Sequence, residues 1–328
     1  MIALVLAAAA KSAILLFILL TACAYMTLLE RRLLALVQMR YGPNRVGPLG
    51  LLQPLADGIK LIFKESFMPA GADRLVYWIA PAISMAAALF VYAVIPIGPE
   101  VRLFGTTVPL YLADVNVGIL LVLGASSIGV YGIILGGWSV NNKYALLGSL
   151  RSSAQLISYE LTIGLAVVAV VMTAGSLSLV EIVQRQRELW FVALQPLGFA
   201  LFLVGALAET NRAPFDLPEA EQELIAGFQT EYGGFKFAMF YIGEYIGVVT
   251  MSLLATTLFL GGWHGPLLPG AAWVALKTFA CVSFFVWVRA TMPRVRHDQL
   301  MALGWKVLLP LGLANVVATA VIVALRGG

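Results

Sequence analysis

Three glutamates stand inside apolar runs. Glu160 follows Ser158 and Tyr159, Glu209 closes a second run, and Glu244 lies between Tyr241 and Tyr245 in a third. An ionisable side chain at membrane depth costs about 3 kcal/mol or more on insertion scales, so such residues mark ion or proton paths by default. The structural alternative is a helix–helix ion pair, and the spans carrying Glu160 and Glu244 offer no basic partner at that depth. The spacing therefore points to a proton path with tyrosine hydroxyls as neighbours.

A second concentration of acid follows Glu209. Between 209 and 234 six carboxylates (Glu209, Asp216, Glu219, Glu221, Glu223 and Glu231) face one arginine, Arg212. Asp216 followed by Glu219 suits a helix start. Glu219 and Glu223 are then like-charged i, i+4 neighbours, and crowding of like charges raises carboxylate pKa values. A solvated acidic face would be the plain reading, but Phe215, Leu217, Leu224, Ile225 and Phe228 interleave with the acids. That apolar content suits a loop folded against the protein.

A third feature lies near the N-terminus. Glu30-Arg31-Arg32 marks the first exit from an apolar run, and the Gly- and Pro-rich stretch from Arg40 to Pro48 is irregular backbone. Gln53 to Glu65 predicts an amphipathic helix with Pro54 in its first turn. Asp57, Lys60 and Lys64 share one face, and Leu55, Ile59, Ile62 and Phe63 the other. Such a helix lies in the membrane interface or caps a cavity. A lipid-phosphate anchor would explain the lysines but not Asp57.

These groups must be positioned by apolar segments. Of 328 residues 61% are hydrophobic and 12% charged, with mean hydropathy +0.92; soluble domains carry about 25% charged residues. A span needs about 20 apolar residues. Eight are expected, near 4–29, 76–97, 116–137, 155–174, 190–208, 235–260, 273–290 and 303–325. No period-two alternation suggests a barrel, so the fold expected is an all-α polytopic bundle of about eight helices plus the interfacial helix. It forms one transmembrane domain over 1–328, with cytoplasmic loops near 30–75, 138–154, 209–234 and 289–302. Of the 21 Lys and Arg, all but Lys11, Arg102, Arg185, Arg187, Lys277 and Arg326 fall at these loops. The positive-inside rule places them in the cytoplasm and both termini outside. The apolar stretch at 1–29 runs past Cys23 and reads as a span rather than a cleaved signal.

Electron-transfer equipment is absent from the sequence. His264 and His297 lie in loops, Cys23 and Cys281 sit singly in apolar runs, and there is no dinucleotide fingerprint or P-loop. Such a chain can shape a site or move protons, and any electron carrier must come from a partner.

The run Gly50-Leu51-Leu52-Gln53-Pro54-Leu55-Ala56-Asp57-Gly58-Ile59-Lys60-Leu61-Ile62-Phe63-Lys64-Glu65 resembles the first signature of a known family, the H-type membrane subunits of bacterial NADH:quinone oxidoreductase, respiratory complex I. Pro214-Phe215-Asp216-Leu217-Pro218-Glu219-Ala220-Glu221 resembles its second. Gln229-Thr230-Glu231-Tyr232 departs slightly from the family's usual Asn-Val-Glu-Tyr. The resemblance implies a membrane subunit at the joint with the hydrophilic arm. It would not be catalytic alone, and would form much of the chamber through which a lipid quinone reaches an iron–sulfur cluster. It implies quinone contacts at Arg31, Arg40, Asp57, Phe228 and Arg294. It implies a proton path through Glu160, Glu209, Asp216, Glu219, Glu221, Glu223 and Glu244. No metal or bound cofactor is implied on this chain; FMN and iron–sulfur clusters belong to partner subunits. Other complex I subunits, membrane lipids and the quinone are the expected partners, with no nucleic acid. The expected location is a bacterial inner membrane.

Two alternatives stand beside this. The equivalent membrane subunit of an energy-converting hydrogenase, or of a ferredoxin- or F420H2-linked relative, would share the membrane piece and differ in its electron-input partners. A proton-coupled secondary transporter would suit the glutamates, but paired broken helices in two halves are lacking.

Overall fold

A computed structural model describes residues 2–103, 106–217 and 225–327. Among them the helices are α1 (Ile2–Val37), α2 (Gln53–Phe63), α3 (Arg74–Phe90), α4 (Gly118–Ser139), α5 (Lys143–Ala174), α6 (Leu179–Arg185), α7 (Phe191–Leu194), α8 (Pro196–Glu209), α9 (Gly234–Leu258), α10 (Gly270–Thr291), α11 (His297–Leu303) and α12 (Leu309–Gly327). A π-helical turn joins α11 to α12, so the two form one span. Among the described residues seven helical segments are long and apolar enough to cross a membrane. Phe17, Leu120, Ile157 and Val317 stand exposed on outward faces, as a lipid-facing surface requires.

The fifth expected span differs from the rest. The run 190–208 breaks at Gln195, whose backbone leaves the helical region (φ −134°, ψ 60°), and α8 restarts at Pro196 in its first turn. Proline cannot continue a helical hydrogen-bond ladder but opens one readily. The 14 residues of α8 rise about 21 Å, short of the roughly 30 Å hydrocarbon core. Gln195 caps the break by donating Nε2 to the carbonyl of Ala169 at 2.8 Å.

The span expected from 155 begins earlier. Asn142 caps α5 by accepting from the amide of Tyr144 at 3.0 Å, and Gly175 (φ 70°) ends it. Its 32 residues give a rod of about 48 Å, longer than the hydrocarbon core. Where the expected span begins, just inside the extra turns, Gln155 Nε2 donates to the carbonyls of Ala208 at 2.7 Å and Phe215 at 2.8 Å. One amide thus clamps the start of the acidic loop to α5. Close approach matters here. A Cβ on Gly148 would stand 2.7 Å from the Cα of Gly227, so only glycine lets α5 touch the 227–229 turn.

One feature went unanticipated. Val101–Leu103 pairs antiparallel with Thr106–Val108 as a short hairpin in the 98–117 loop. The buried core centres on Tyr92, Tyr159, Phe202, Ile246 and Phe259, where α3, α5, α8 and α9 meet. Both cysteines are buried and free.

Candidate functional site

The amphipathic helix forms as expected, ending at Phe63, and packs against α1 and α9. Lys64 is extended, so it leaves the face expected to hold Asp57 and Lys60. Leu55, Ile59, Ile62 and Phe63 are exposed, an apolar face that nothing among the described residues covers. On the opposite face Asp57 Oδ2 meets Arg31 Nη1 at 2.8 Å, and Gln53 Nε2 donates to Asp57 Oδ1 at 2.9 Å. The preceding irregular stretch is held by Gly50, at φ +76°, where a Cβ would stand 2.3 Å from the carbonyl oxygen of Pro43. Arg32 donates to the carbonyl of Leu49 and ties α1 to the same stretch.

One residue before Arg31, α1 places Glu30 inside the protein. Its Oε2 accepts from the Tyr245 hydroxyl at 2.6 Å. Its Oε1 takes Arg289 Nη1 and lies 3.5 Å from Arg212 Nη1. Arg212 Nε in turn lies 2.6 Å from Glu244 Oε1. The Arg212 guanidinium sits over the Tyr245 ring, 4.4 Å from its centroid, with Tyr241 at 5.8 Å. Glu30 and Arg212 side chains are 6% and 7% exposed. Two guanidiniums and two carboxylates, with aromatic faces about them, therefore form one buried network across α1, α9, α10 and the 210–217 loop.

This corrects the expected surroundings of Glu244. The spans that carry Glu160 and Glu244 pair no base with it, but a loop does, by folding Arg212 back into the bundle. The tyrosine neighbours also differ from expectation. Tyr245 gives its hydroxyl to Glu30, and Tyr159 gives its hydroxyl to the carbonyl of Leu300 at 3.0 Å rather than to Glu160. Adjacent helical residues point about 100° apart, so sequence neighbours do not share partners.

Beyond Glu244 lies a cavity of about 120 Å³ between α3, α4, α8 and α9. Glu209, Glu244, Ser84, Ser126, Asn211, Gln229 and Thr250 supply its polar lining. Glu209 Oε2 is buried with no hydrogen-bond partner among the described residues. Glu160 accepts from Ser127 Oγ and lines a separate leucine-rich groove between α5 and α12, yet it is near enough to Glu209 for their charges to repel. Three helices thus bring Glu160, Glu209 and Glu244 into one region, although only the last two share a cavity.

The remaining expected residues fall in different places. Phe228 is buried against Phe240 and lines the cavity with Glu209 and Glu244, not the surface with Arg31 and Asp57. Arg40 is exposed and donates to Gln38 at 2.7 Å. Arg294 is half-buried, its Nη2 without a hydrogen-bond partner among the described residues. The neighbouring Val295 amide donates to Pro214 at 3.0 Å and ties that loop to the acidic one. Asp216 lies beside Phe215 at the described edge of that loop; Glu219, Glu221, Glu223 and the helix start expected there lie outside the described residues.

A second cavity, of about 510 Å³ and almost wholly apolar, runs between α1, α9 and α10. Arg32 and Leu51 stand at one end, Ile97 at the other. Among the described residues no group of three or more His, Cys, Asp or Glu could hold a metal ion.

Sequence reasoning left Glu30, Arg212 and Arg289 without a role, and gave the Tyr245 hydroxyl to Glu244 rather than to Glu30. The signal available was Arg212 itself, one base among six acids, and Glu30 at the end of an apolar run.

The chain matches the family model described as NADH dehydrogenase over residues 10–320. It is 57% identical to a Geobacter metallireducens protein named as an H-type subunit of NADH-quinone oxidoreductase, over 97% of this chain and 96% of that one. Proteins of the same name from Thermomicrobium roseum and Protochlamydia amoebophila are 56% and 54% identical. They cover 94% and 92% of this chain, and the same shares of their own lengths.

Proposed function

Because the chain belongs to the family of H-type membrane subunits of NADH-quinone oxidoreductase, we propose that it joins quinone reduction to proton translocation through the buried network around Arg212. It is a multi-pass subunit of a bacterial inner membrane and carries no redox centre of its own. FMN and iron–sulfur clusters reside in partner subunits, and the lipid quinone is the substrate that the assembled complex reduces.

The observation that carries this reading is continuity. Asp57 meets Arg31 on the surface helix, Glu30 precedes Arg31 in α1, and Glu30 shares Arg212 with Glu244, which lines the cavity holding Glu209. A charge change near Asp57 and Arg31 therefore acts across one residue of α1 on Glu30, and from Glu30 inward through ion-paired groups in a poorly hydrated interior where Coulomb forces are weakly screened. Arg31, Arg40, Asp57 and Arg294 serve the quinone end. Phe228 serves the other, packed beside the acids that respond. Glu160, Glu209, Asp216, Glu219, Glu221, Glu223 and Glu244 take up and pass on protons toward neighbouring membrane subunits. The apolar slot beside Arg32 and Leu51 suits the tail of a lipid substrate. The basic loops face the cytoplasm and the hydrophilic subunits, and both termini face the periplasm.

The test is Glu209→Gln in the assembled complex, reconstituted in vesicles. Quinone turnover and proton uptake are followed together. Pumping per electron is expected to fall several-fold while assembly persists. Undiminished pumping at full turnover would remove Glu209 from the path.

A further inference from the structure

Among the described residues two lysines are buried, Lys236 and Lys277, and they differ in what their ammonium groups meet. Lys277 lies in α10, at the end of the bundle opposite the basic loops. Its Nζ donates to the carbonyls of Leu260 at 2.5 Å, Gly262 at 3.0 Å and His264 at 2.7 Å, and the Trp190 ring centroid lies 4.1 Å away. An ammonium group has three donors and no acceptor, so this cage satisfies Lys277 completely. Its field reaches the loop: burial holds His264 below the usual imidazole range, and the charges of Arg187 and Lys277 push it the same way.

Lys236, the third residue of α9, is only 3% exposed. Its Nζ stands 4.1 Å from the Trp78 ring centroid and 4.5 Å from that of Tyr77. Tyr77 is fixed in place. Its ring stacks on Tyr232 with centroids 4.4 Å apart, and its hydroxyl donates to the carbonyl of Glu231 at 2.8 Å. Aromatic faces attract a cation but leave its three N–H donors in need of an acceptor. Among the described residues no oxygen accepts from Nζ and no carboxylate pairs with it. Nor is Nζ sealed, since it keeps contact with the surface.

The acids nearest in sequence are engaged elsewhere. Asp73 caps α3 by accepting from the amides of Leu75 and Val76 at 3.0 and 3.2 Å. Glu231 Oε1 accepts from Asn142 Nδ2 at 2.8 Å. Snorkelling accounts for a lysine whose head stands in water, not for one covered to this degree.

A second cation stands close by in the fold. Arg74 precedes Trp78 by four residues, so the two share a face of α3 one turn apart. Arg74 is exposed and, among the described residues, has no ion-pair partner. The helix α3 starts at Arg74 and α9 at Gly234. Both cations therefore lie within the first turn of a span, at the depth where headgroups and tryptophan side chains concentrate. Leu75, Trp78, Ile79 and Phe235 are exposed on the same two helix starts. A small soluble anion would answer the charges and leave that apolar surface bare. An anionic lipid answers both, with its phosphate on the cations and its chains along the helices.

We propose that Lys236 and Arg74 bind the phosphate of an anionic phospholipid headgroup where α3 and α9 enter the membrane. The Tyr77–Trp78 cradle holds the ammonium in position before the lipid arrives. The inference stands apart from the proton path, because neither cation belongs to the Arg212 network.

The experiment uses the assembled complex in nanodiscs of phosphatidylcholine with a minor share of phosphatidylglycerol that carries a photoactivatable diazirine beside the glycerol backbone. Cross-linked peptides are mapped by mass spectrometry. The phosphatidylglycerol probe is expected to label the starts of α3 and α9 well above a matched phosphatidylcholine probe. Each basic side chain near an anionic headgroup strengthens its binding about fivefold, so Lys236→Gln and Arg74→Gln are each expected to lower the labelling by about that factor. Lys236→Arg is expected to keep it. Arg74 is exposed, so Arg74→Gln reports the site even where Lys236→Gln fails to assemble. Excess glycerol 3-phosphate is expected to leave the labelling unchanged. Its loss on that addition would give the cations to a soluble phosphate and overturn the lipid assignment. Equal labelling by the two probes, or labelling indifferent to every variant that assembles, would overturn it too. So would labelling of the isolated chain that vanishes in the assembled complex, which would give this face to a partner subunit.

Discussion

Replacing Arg212 by Gln tests the network on which the functional reading stands. Arg212 Nε lies 2.6 Å from Glu244 and Nη1 3.5 Å from Glu30, with both Arg212 and Glu30 under one-tenth exposed. At an effective dielectric near 20, each contact carries about 4 kcal/mol of Coulomb attraction. Burying the guanidinium offsets several kcal/mol of that. The change leaves two carboxylates and one guanidinium, Arg289, where there were two of each. Breaking a buried pair from one side costs about 3–5 kcal/mol. Glu30 keeps Arg289 and the Tyr245 hydroxyl, which places the expected loss at the lower limit, about 3 kcal/mol. The assay is unfolding of the purified chain in mixed detergent micelles of rising SDS fraction, read by tryptophan fluorescence. Glu244→Gln and the double variant Arg212→Gln with Glu244→Gln complete a cycle. The double variant is expected to recover about 0.5–3 kcal/mol relative to the sum of the singles, the range for residues sharing one network. A single variant within about 0.5 kcal/mol of the unmodified chain, or strict additivity in the cycle, would refute the claim that Arg212 neutralises Glu244 in the folded protein.

Two further outcomes follow from the packing and from the far-side loop. Gly148→Ala drives a methyl toward the Gly227 backbone and is expected to destabilise by about 1–3 kcal/mol, the usual cost of overpacking; the same SDS titration reads it, and quinone turnover is expected to fall because Phe228 moves with the turn. His264 is held below the ordinary imidazole value, so the folded state binds its proton less readily than the unfolded one. Its stabilising contribution is complete above the unfolded value near 6.5 and declines as pH falls from there toward the folded value. Thermal midpoints of His264→Gln between pH 7.5 and 5 are expected to fall less steeply on acidification than those of the unmodified chain, and identical slopes would exclude His264 as the group responsible.

Much of the architecture was legible in the chain itself. Long apolar runs mark spans because lipid leaves a backbone no partner but its own helix, and that constraint acts over about 20 consecutive residues. The surface helix was legible from the spacing of Asp57 and Lys60 against Leu55, Ile59 and Phe63. Local chemistry also signals the break at Gln195-Pro196, although the apolar composition around it masked the signal. The unusual placement of Glu160, Glu209 and Glu244 could be read directly, since a carboxylate in an apolar run is conspicuous wherever the helix is finally packed.

Partnership was not legible, because it depends on which distant segments meet. Arg289 and Glu30 stand 259 positions apart in the chain and share a hydrogen bond. Arg212 sits in a loop whose apolar content says that it folds against the protein but not which segment it meets; Gln155 clamps the start of that loop onto α5, and the Arg212 guanidinium lies beside Glu244 inside the bundle. Hydropathy is a property of each segment by itself, so the sequence alone determined a helical membrane protein with acids at depth. Charge pairing is a property of the distance between segments, and only the packed bundle decided that Glu244 answers to Arg212, that Phe228 lies with the acids, and that Lys277 is caged at the opposite end.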